Sequence, residues 1–83
     1  MTELELITRI LEIQASSQKA ALATVIRTKG STPRKVGAKM IVYSDGTVEG
    51  TIGGGCGEGE VIEKALEVIA TGRCTQHQVD LTK

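Results

Sequence analysis

The stretch Gly50-Thr51-Ile52-Gly53-Gly54-Gly55-Cys56-Gly57-Glu58-Gly59 joins two segments of different periodicity and gathers most of the chain's ten glycines. Residues 47–52, before it, read as a strand. Residues 60–70, after it, carry Val61, Ile62, Ala65, Leu66 and Ile69 at helical spacing, with Glu60, Glu63, Lys64 and Glu67 on the other side. Glycines at such a strand-to-helix turn permit positive φ and close approach of a ligand to the main chain. The first amide groups of the helix, beside the positive end of its dipole, suit an anion such as a phosphate. A tight connection with no ligand is the competing reading of the same residues.

Working back from the turn, residues 38–43 read as a strand and Ser44-Asp45-Gly46 as the hairpin turn that returns the chain along residues 47–52. Ahead of the hairpin lies a basic loop, Lys29-Gly30-Ser31-Thr32-Pro33-Arg34-Lys35-Val36-Gly37, in which Gly and Pro break any regular element. Residues 20–28 are short, apolar and increasingly β-branched, and predict a buried strand. At the start, Thr2-Glu3-Leu4-Glu5 has the form of a capping box, so a helix begins near Glu3 and ends at Ser16 and Ser17. Its apolar face is read as Leu4, Ile7, Ile10 and Leu11, joined by Leu6 and Ile13, with Glu5, Arg9 and Glu12 towards solvent. Working forward, Gly72 is placed to cap the second helix, and Thr75-Gln76-His77-Gln78-Val79-Asp80-Leu81 predicts a last strand.

The order α-β-β-β-α-β, with two one-faced helices, predicts an α+β two-layer sandwich: a mixed sheet of about four strands with both helices on one face. Gly-x-Gly-x-x-Gly followed by an acid in a βαβ unit is absent, as is the Gly-x-x-x-x-Gly-Lys-Ser/Thr phosphate loop. At 83 residues the chain is a single domain with a small core. Ten basic and ten acidic residues cancel, and Tyr43 is the sole aromatic, so neither an electrostatic nor a base-stacking platform for nucleic acid is expected. No apolar run is long enough to predict a membrane segment or leader, which makes cytoplasmic the default location. Cys56 and Cys74 are too few for a disulfide framework.

Antiparallel pairing brings the start of the first hairpin strand beside the end of the second, so Gly37 and Gly53 are expected at one end of the sheet. Ser31, Thr32, Arg34 and Lys35 then approach the glycine turn and Cys56, and an Arg fork, hydroxyls and backbone amides converging there would form an oxyanion or phosphate pocket. Each has a plainer use: solvated charge for Arg34 and Lys35, turn hydrogen bonds for Ser31 and Thr32, a small buried residue for Cys56. A thiol at a helix start has more thiolate character than usual. Glu58 and Glu60 favour the helix dipole, and Glu58 is also a candidate ligand contact. Cys74 and His77 lack the second pair of ligands that a tetrahedral metal site needs.

The runs from Ala23 to Arg34, Gly37-Ala38-Lys39-Met40, and Gly50 to Cys56 followed by Glu58 resemble the N-terminal domain of the xanthine dehydrogenase accessory factors of the XdhC and CoxI type. The resemblance covers nearly the whole chain, and its paired motifs, Gly-Ser-Thr-Pro-Arg and Gly-Gly-Gly-Cys, are specific. It implies a cofactor chaperone, not a complete enzyme, that binds molybdenum cofactor (molybdopterin) transiently and assists its sulfuration or its insertion into a molybdenum hydroxylase such as xanthine dehydrogenase. Carried over, Ser31, Thr32, Pro33 and Arg34 belong to the first motif and Gly53, Gly54, Gly55, Cys56 and Glu58 to the second, with Cys56 a soft sulfur contact to molybdenum. Gly57 stands where family members carry a bulky aliphatic residue. Typical members continue into a further Cys-Gly-Gly strand motif and a Rossmann domain, which implies that the chain is a truncated or a stand-alone domain. A separate Rossmann-domain protein and a homo-oligomer, formed through an open sheet edge, are then expected partners. An oligomerising scaffold or regulatory domain that binds no cofactor is the alternative function.

Overall fold

The computed structural model describes residues 2–27, 36–52 and 57–78. The capping box forms as its sequence predicts: the Thr2 amide donates to Glu5 Oε1 and the Glu5 amide to Thr2 Oγ1, each at 3.1 Å. Two of the orphan donors of the first turn are thereby satisfied. This starts α1, Glu3–Ala15, which ends at Ser16, whose amide and hydroxyl both donate to the Ile13 carbonyl.

Three strands follow: β1 (Ala20–Thr24), β2 (Lys39–Tyr43) and β3 (Val48–Gly50). They form one sheet in the order β1-β2-β3, with both pairings antiparallel. The β2-β3 turn closes through Gly46, at φ +89°, whose amide donates to the Tyr43 carbonyl. Asp45 Oδ1 accepts from the amide and the hydroxyl of Thr47, a side-chain turn that also holds the Asp45 carboxyl below its usual range. Helix α2, Glu58–Thr71, ends in Gly72, which takes the left-handed conformation at φ +73° and donates its amide to the Val68 carbonyl.

The two helices do not share a face of the sheet. Along β2, Met40 and Val42 point one way and pack with Ile52 and Ala65, so that face belongs to α2. Ile41 and Tyr43 point the other way and pack with Leu6, Ile10 and Ile13, so that face belongs to α1. The layers are therefore helix, sheet, helix. The reason lies in β2 itself: Met40, Ile41, Val42 and Tyr43 are consecutive apolar residues, all buried, and a strand pleated with period two needs cover on both sides.

The expected mixed sheet of about four strands is not confirmed. Among the described residues there are three strands, all antiparallel, and the backbone from Gly72 to Gln78 is irregular. Thr75, Gln76, His77 and Gln78 are polar and exposed, so this segment has no apolar face with which to join a sheet. The rest of the expected last strand, residues 79–81, lies outside the described residues.

The inward face of α1 is Leu6, Ile10 and Ile13. Leu4, Ile7 and Leu11, read from the sequence as core, are 74%, 53% and 60% exposed. Arg9, expected in solvent, leans towards β3 instead: its Nε donates to Glu49 Oε2 at 2.9 Å, and its Nη1 to Glu12 Oε2 at 3.1 Å. Tyr43 Oη donates to the other oxygen of Glu49 at 2.6 Å, so one carboxylate links helix, central strand and edge strand. Glu49 and Glu12 hold the Arg9 guanidinium more firmly protonated than usual, while burial and then Glu49 push the Tyr43 hydroxyl up.

Candidate functional site

The register decides which loops can meet. Met40 lies opposite Gly50, so Lys39 and Gly37 continue towards the end of the sheet at which Thr51 and Ile52 leave β3. On the other side of β2, the Val25 amide donates to the Ala38 carbonyl and the Gly37 amide to the Val25 carbonyl. The described ends of the basic loop, at Arg27 and Val36, and the first described end of the glycine turn, at Ile52, are thus rooted at one end of the sheet. Lys39 Nζ, donating to the Gly37 carbonyl at 3.0 Å, lies at the same end.

Ser31, Thr32 and Arg34, together with Gly53, Gly54, Gly55 and Cys56, lie outside the described residues. Of the cofactor-binding residues expected from the sequence, Glu58 is the one among the described residues. Its Oε2 accepts a hydrogen bond from Thr51 Oγ1 at 2.6 Å. Thr51 precedes the glycine turn and Glu58 follows it, so this bond spans the turn from one root to the other. Glu58 therefore has a positioning role before any ligand is considered. Thr51 went unnoticed in the sequence because nothing in a threonine seven residues before a glutamate marks the pair across an intervening loop.

Gly57 has φ +88°, in the left-handed region that side chains rarely occupy, and it stands at the N-cap of α2 with no side-chain cap. Gly57 here serves a backbone reversal at the start of the helix. The helix begins two residues earlier than its apolar periodicity suggests, and Glu58 and Glu60 occupy the first turn, where negative charge favours the dipole. Glu60 Oε1 also lies 2.8 Å from His77 Nε2, which draws the segment after α2 back along the helix to its first turn. This contact joins residues seventeen positions apart and has no local signal in the sequence. Cys74 is exposed, and among the described residues no group of three His, Cys, Asp or Glu side chains could hold a metal ion. No helix among them is long and apolar enough to cross a membrane.

The architecture defines a small α+β domain in which the described residues flanking the basic loop and the glycine-cysteine turn lie at one end of the sheet. It belongs to the XdhC and CoxI family, which residues 13–80 match. The chain is 36% identical over 66 residues to the uncharacterized protein YqeB of Escherichia coli (strain K12), an overlap of 80% of this chain and 12% of that protein. It is also 36% identical over 63 residues to the molybdenum cofactor insertion chaperone PaoD of the same organism, an overlap of 76% of this chain and 20% of that protein. The chain thus spans a fifth or less of the length of these two relatives.

Proposed function

We propose that this chain is a domain of a molybdenum-enzyme maturation factor. It takes molybdenum cofactor as transient cargo and assists its sulfuration or its insertion into a molybdenum hydroxylase such as xanthine dehydrogenase, in the cytoplasm. The observation that carries this reading is the shared root of the two motif-bearing loops at one end of the sheet. Family membership, and a relative named as a molybdenum cofactor insertion chaperone, support the choice of cargo.

In this reading Arg34, with the hydroxyls of Ser31 and Thr32, binds the anionic oxygens of the cargo as a charged donor fork. The amides of Gly53, Gly54 and Gly55 add donors that carry no side chain to obstruct approach. Cys56 offers a soft sulfur ligand to molybdenum. Glu58 keeps the turn closed through Thr51 and so holds these donors in register.

The test is a titration of the protein with isolated molybdenum cofactor, followed by absorbance and by metal analysis after gel filtration. Wild-type protein is expected to retain cofactor, and Cys56→Ala and Arg34→Ala to lose most of it. Retention undiminished in both variants refutes the site, and no retention by the wild type refutes the reading.

The scaffold reading also has an observation in its favour, the exposed aliphatic side chains of α1. It predicts a complex with a molybdenum hydroxylase, or with a separate Rossmann-domain protein, that forms equally well without cofactor. Gel filtration with light scattering separates the two readings.

A further inference from the structure

The two helices carry a glutamate at the same position of the first turn and use it differently. In α1 the third helical residue, Glu5, reaches back and accepts the amide of the N-cap residue, Thr2, at 3.1 Å. In α2 the third helical residue is Glu60 and the N-cap residue is Gly57. Here the carboxylate is turned away from the cap. Glu60 Oε1 lies 2.8 Å from His77 Nε2, and among the described residues the Gly57 amide donates no hydrogen bond. The cap conformations differ to match: Thr2 is extended, at φ −76° and ψ 165°, the backbone that a capping box requires, whereas Gly57 is left-handed, at φ +88° and ψ −12°. Glycine adopts either conformation readily, so α2 has a second way to begin, the one that α1 uses.

The present partner of Glu60 belongs to a segment held by little else. Residues 73–78 are irregular and exposed, and their other hydrogen bonds among the described residues are local, from the Arg73 amide to Thr71 Oγ1 and from Thr75 Oγ1 to the Gln76 carbonyl. The side chains of His77 and Glu60 are 28% and 51% exposed, so both exchange protons freely with water. Imidazole is the side chain whose ordinary titration falls between pH 5 and 8, and this chain has a single histidine. Protonated, it meets Glu60 as an ion pair; neutral, it keeps at most one N–H for the same oxygen and no charge. Of the other charged groups on α2, Glu58 accepts from Thr51 and Lys64 pairs with Glu67, which leaves Glu63; the segment itself carries Arg73 and the Cys74 thiol. Among the described residues none of these forms an ion pair with His77.

We propose that protonation of His77 selects the partner of Glu60 and thereby the conformation in which α2 begins. With His77 charged, Glu60 is held by the segment after the helix and Gly57 stays left-handed. With His77 neutral, Glu60 returns to the Gly57 amide, Gly57 becomes extended as Thr2 is, and residues 73–78 are released. The proton stabilises the first state alone, so acid favours the latched form and base the capped one. Gly57 directly follows Cys56, so the exchange of partners acts on the glycine turn across one peptide bond. An exposed pair of this kind biases the two states by up to about fivefold. The device is independent of whether the domain binds cofactor.

The test is amide exchange with water measured by NMR on the full chain without cofactor, in a Cys56→Ser, Cys74→Ser background that removes thiol titration. Rates are corrected for the intrinsic effect of pH on exchange. Protection of the Gly57 amide is read relative to that of Gly46, whose amide donates to the Tyr43 carbonyl in the hairpin. From about pH 5.5 to pH 8 this ratio is expected to rise by up to about fivefold, the bias that an exposed ion pair supplies. His77→Gln and Glu60→Gln, both at exposed positions, should each make the ratio independent of pH. Gly57→Ala disfavours the left-handed conformation and should hold the amide at position 57 in its more protected state at every pH. A ratio that does not change with pH in the parent protein overturns the proposal, as does a rise that persists in His77→Gln or in Glu60→Gln.

Discussion

Replacing Gly50 with alanine should damage this domain far more than its size change suggests, for two reasons that can be separated. Gly50 has φ +81°, and a Cβ there would stand 2.9 Å from the carbonyl oxygen of Lys39. The left-handed conformation alone costs an L residue about 1–2 kcal/mol. The contact adds to this because the obstacle is backbone. Lys39 pairs with Thr24, and its neighbour Met40 with both Ala23 and Gly50, so the carbonyl cannot retreat without disturbing both ladders. Forced displacement of packed structure costs about 1–3 kcal/mol, for a total of roughly 2–5 kcal/mol. Gly46→Ala is the control. Gly46 has a similar φ, +89°, but nothing lies within 4 Å of its added Cβ, so it carries only the conformational cost. Thermal unfolding followed by circular dichroism should place Gly46→Ala about 5–10 °C below wild type and Gly50→Ala lower by at least about another 5 °C, given about 4–8 °C per kcal/mol for a domain of this size. Equal destabilisation of the two variants would falsify the steric argument and leave backbone conformation as the whole effect. Because Gly50 leads directly to Thr51 and Ile52, the same substitution should also shift the root of the glycine turn.

Two further predictions address the turn and the first helix. Thr51→Val and Glu58→Ala should each destabilise the fold, and a double-mutant cycle in urea should give a coupling of about 1 kcal/mol, as expected of one exposed charge-assisted hydrogen bond; strictly additive effects would mean that the two side chains act independently. The Glu5 carboxyl is held below its ordinary value of 4.5, chiefly by the Thr2 amide and then by the Thr2 hydroxyl. A lowered folded-state value means that this stabilisation is complete above about pH 4.5 and is lost as the pH falls through the folded value. Helical ellipticity should therefore decline on acidification, and Glu5→Gln, which keeps an acceptor but cannot titrate, should make that decline shallower; an unaltered acid limb would remove Glu5 from the account.

Much of the local structure is legible in the chain because its causes are local. The capping box, the Ser16 stop, the Asp45-Gly46 turn and the Gly72 cap each depend on residues within four positions of one another, and each appears where its signal stands. The common root of the two loops is also legible, because an antiparallel hairpin has only one way to bring its outer ends together. The early start of α2 is less so, since Gly57, Glu58 and Gly59 interrupt the apolar pattern before the first turn is complete.

What the chain could not reveal by itself is how its faces are assigned. The apolar residues of α1 occupy more than half its circumference, and periodicity cannot choose between Leu6, Ile10 and Ile13 and the flank of Leu4, Ile7 and Leu11. Tertiary structure made that choice through Glu49, whose two oxygens accept from Arg9 and Tyr43 and so fix the rotation of the helix over the sheet. It likewise separated the two helices onto opposite faces, because the consecutive apolar residues of β2 need burial on both sides. Sequence determined the elements and the meeting of the loops, which follow from neighbours along the chain and from strand direction. Packing determined which surfaces were buried, how Thr51 and Glu58 are joined, and which aliphatic face was left exposed.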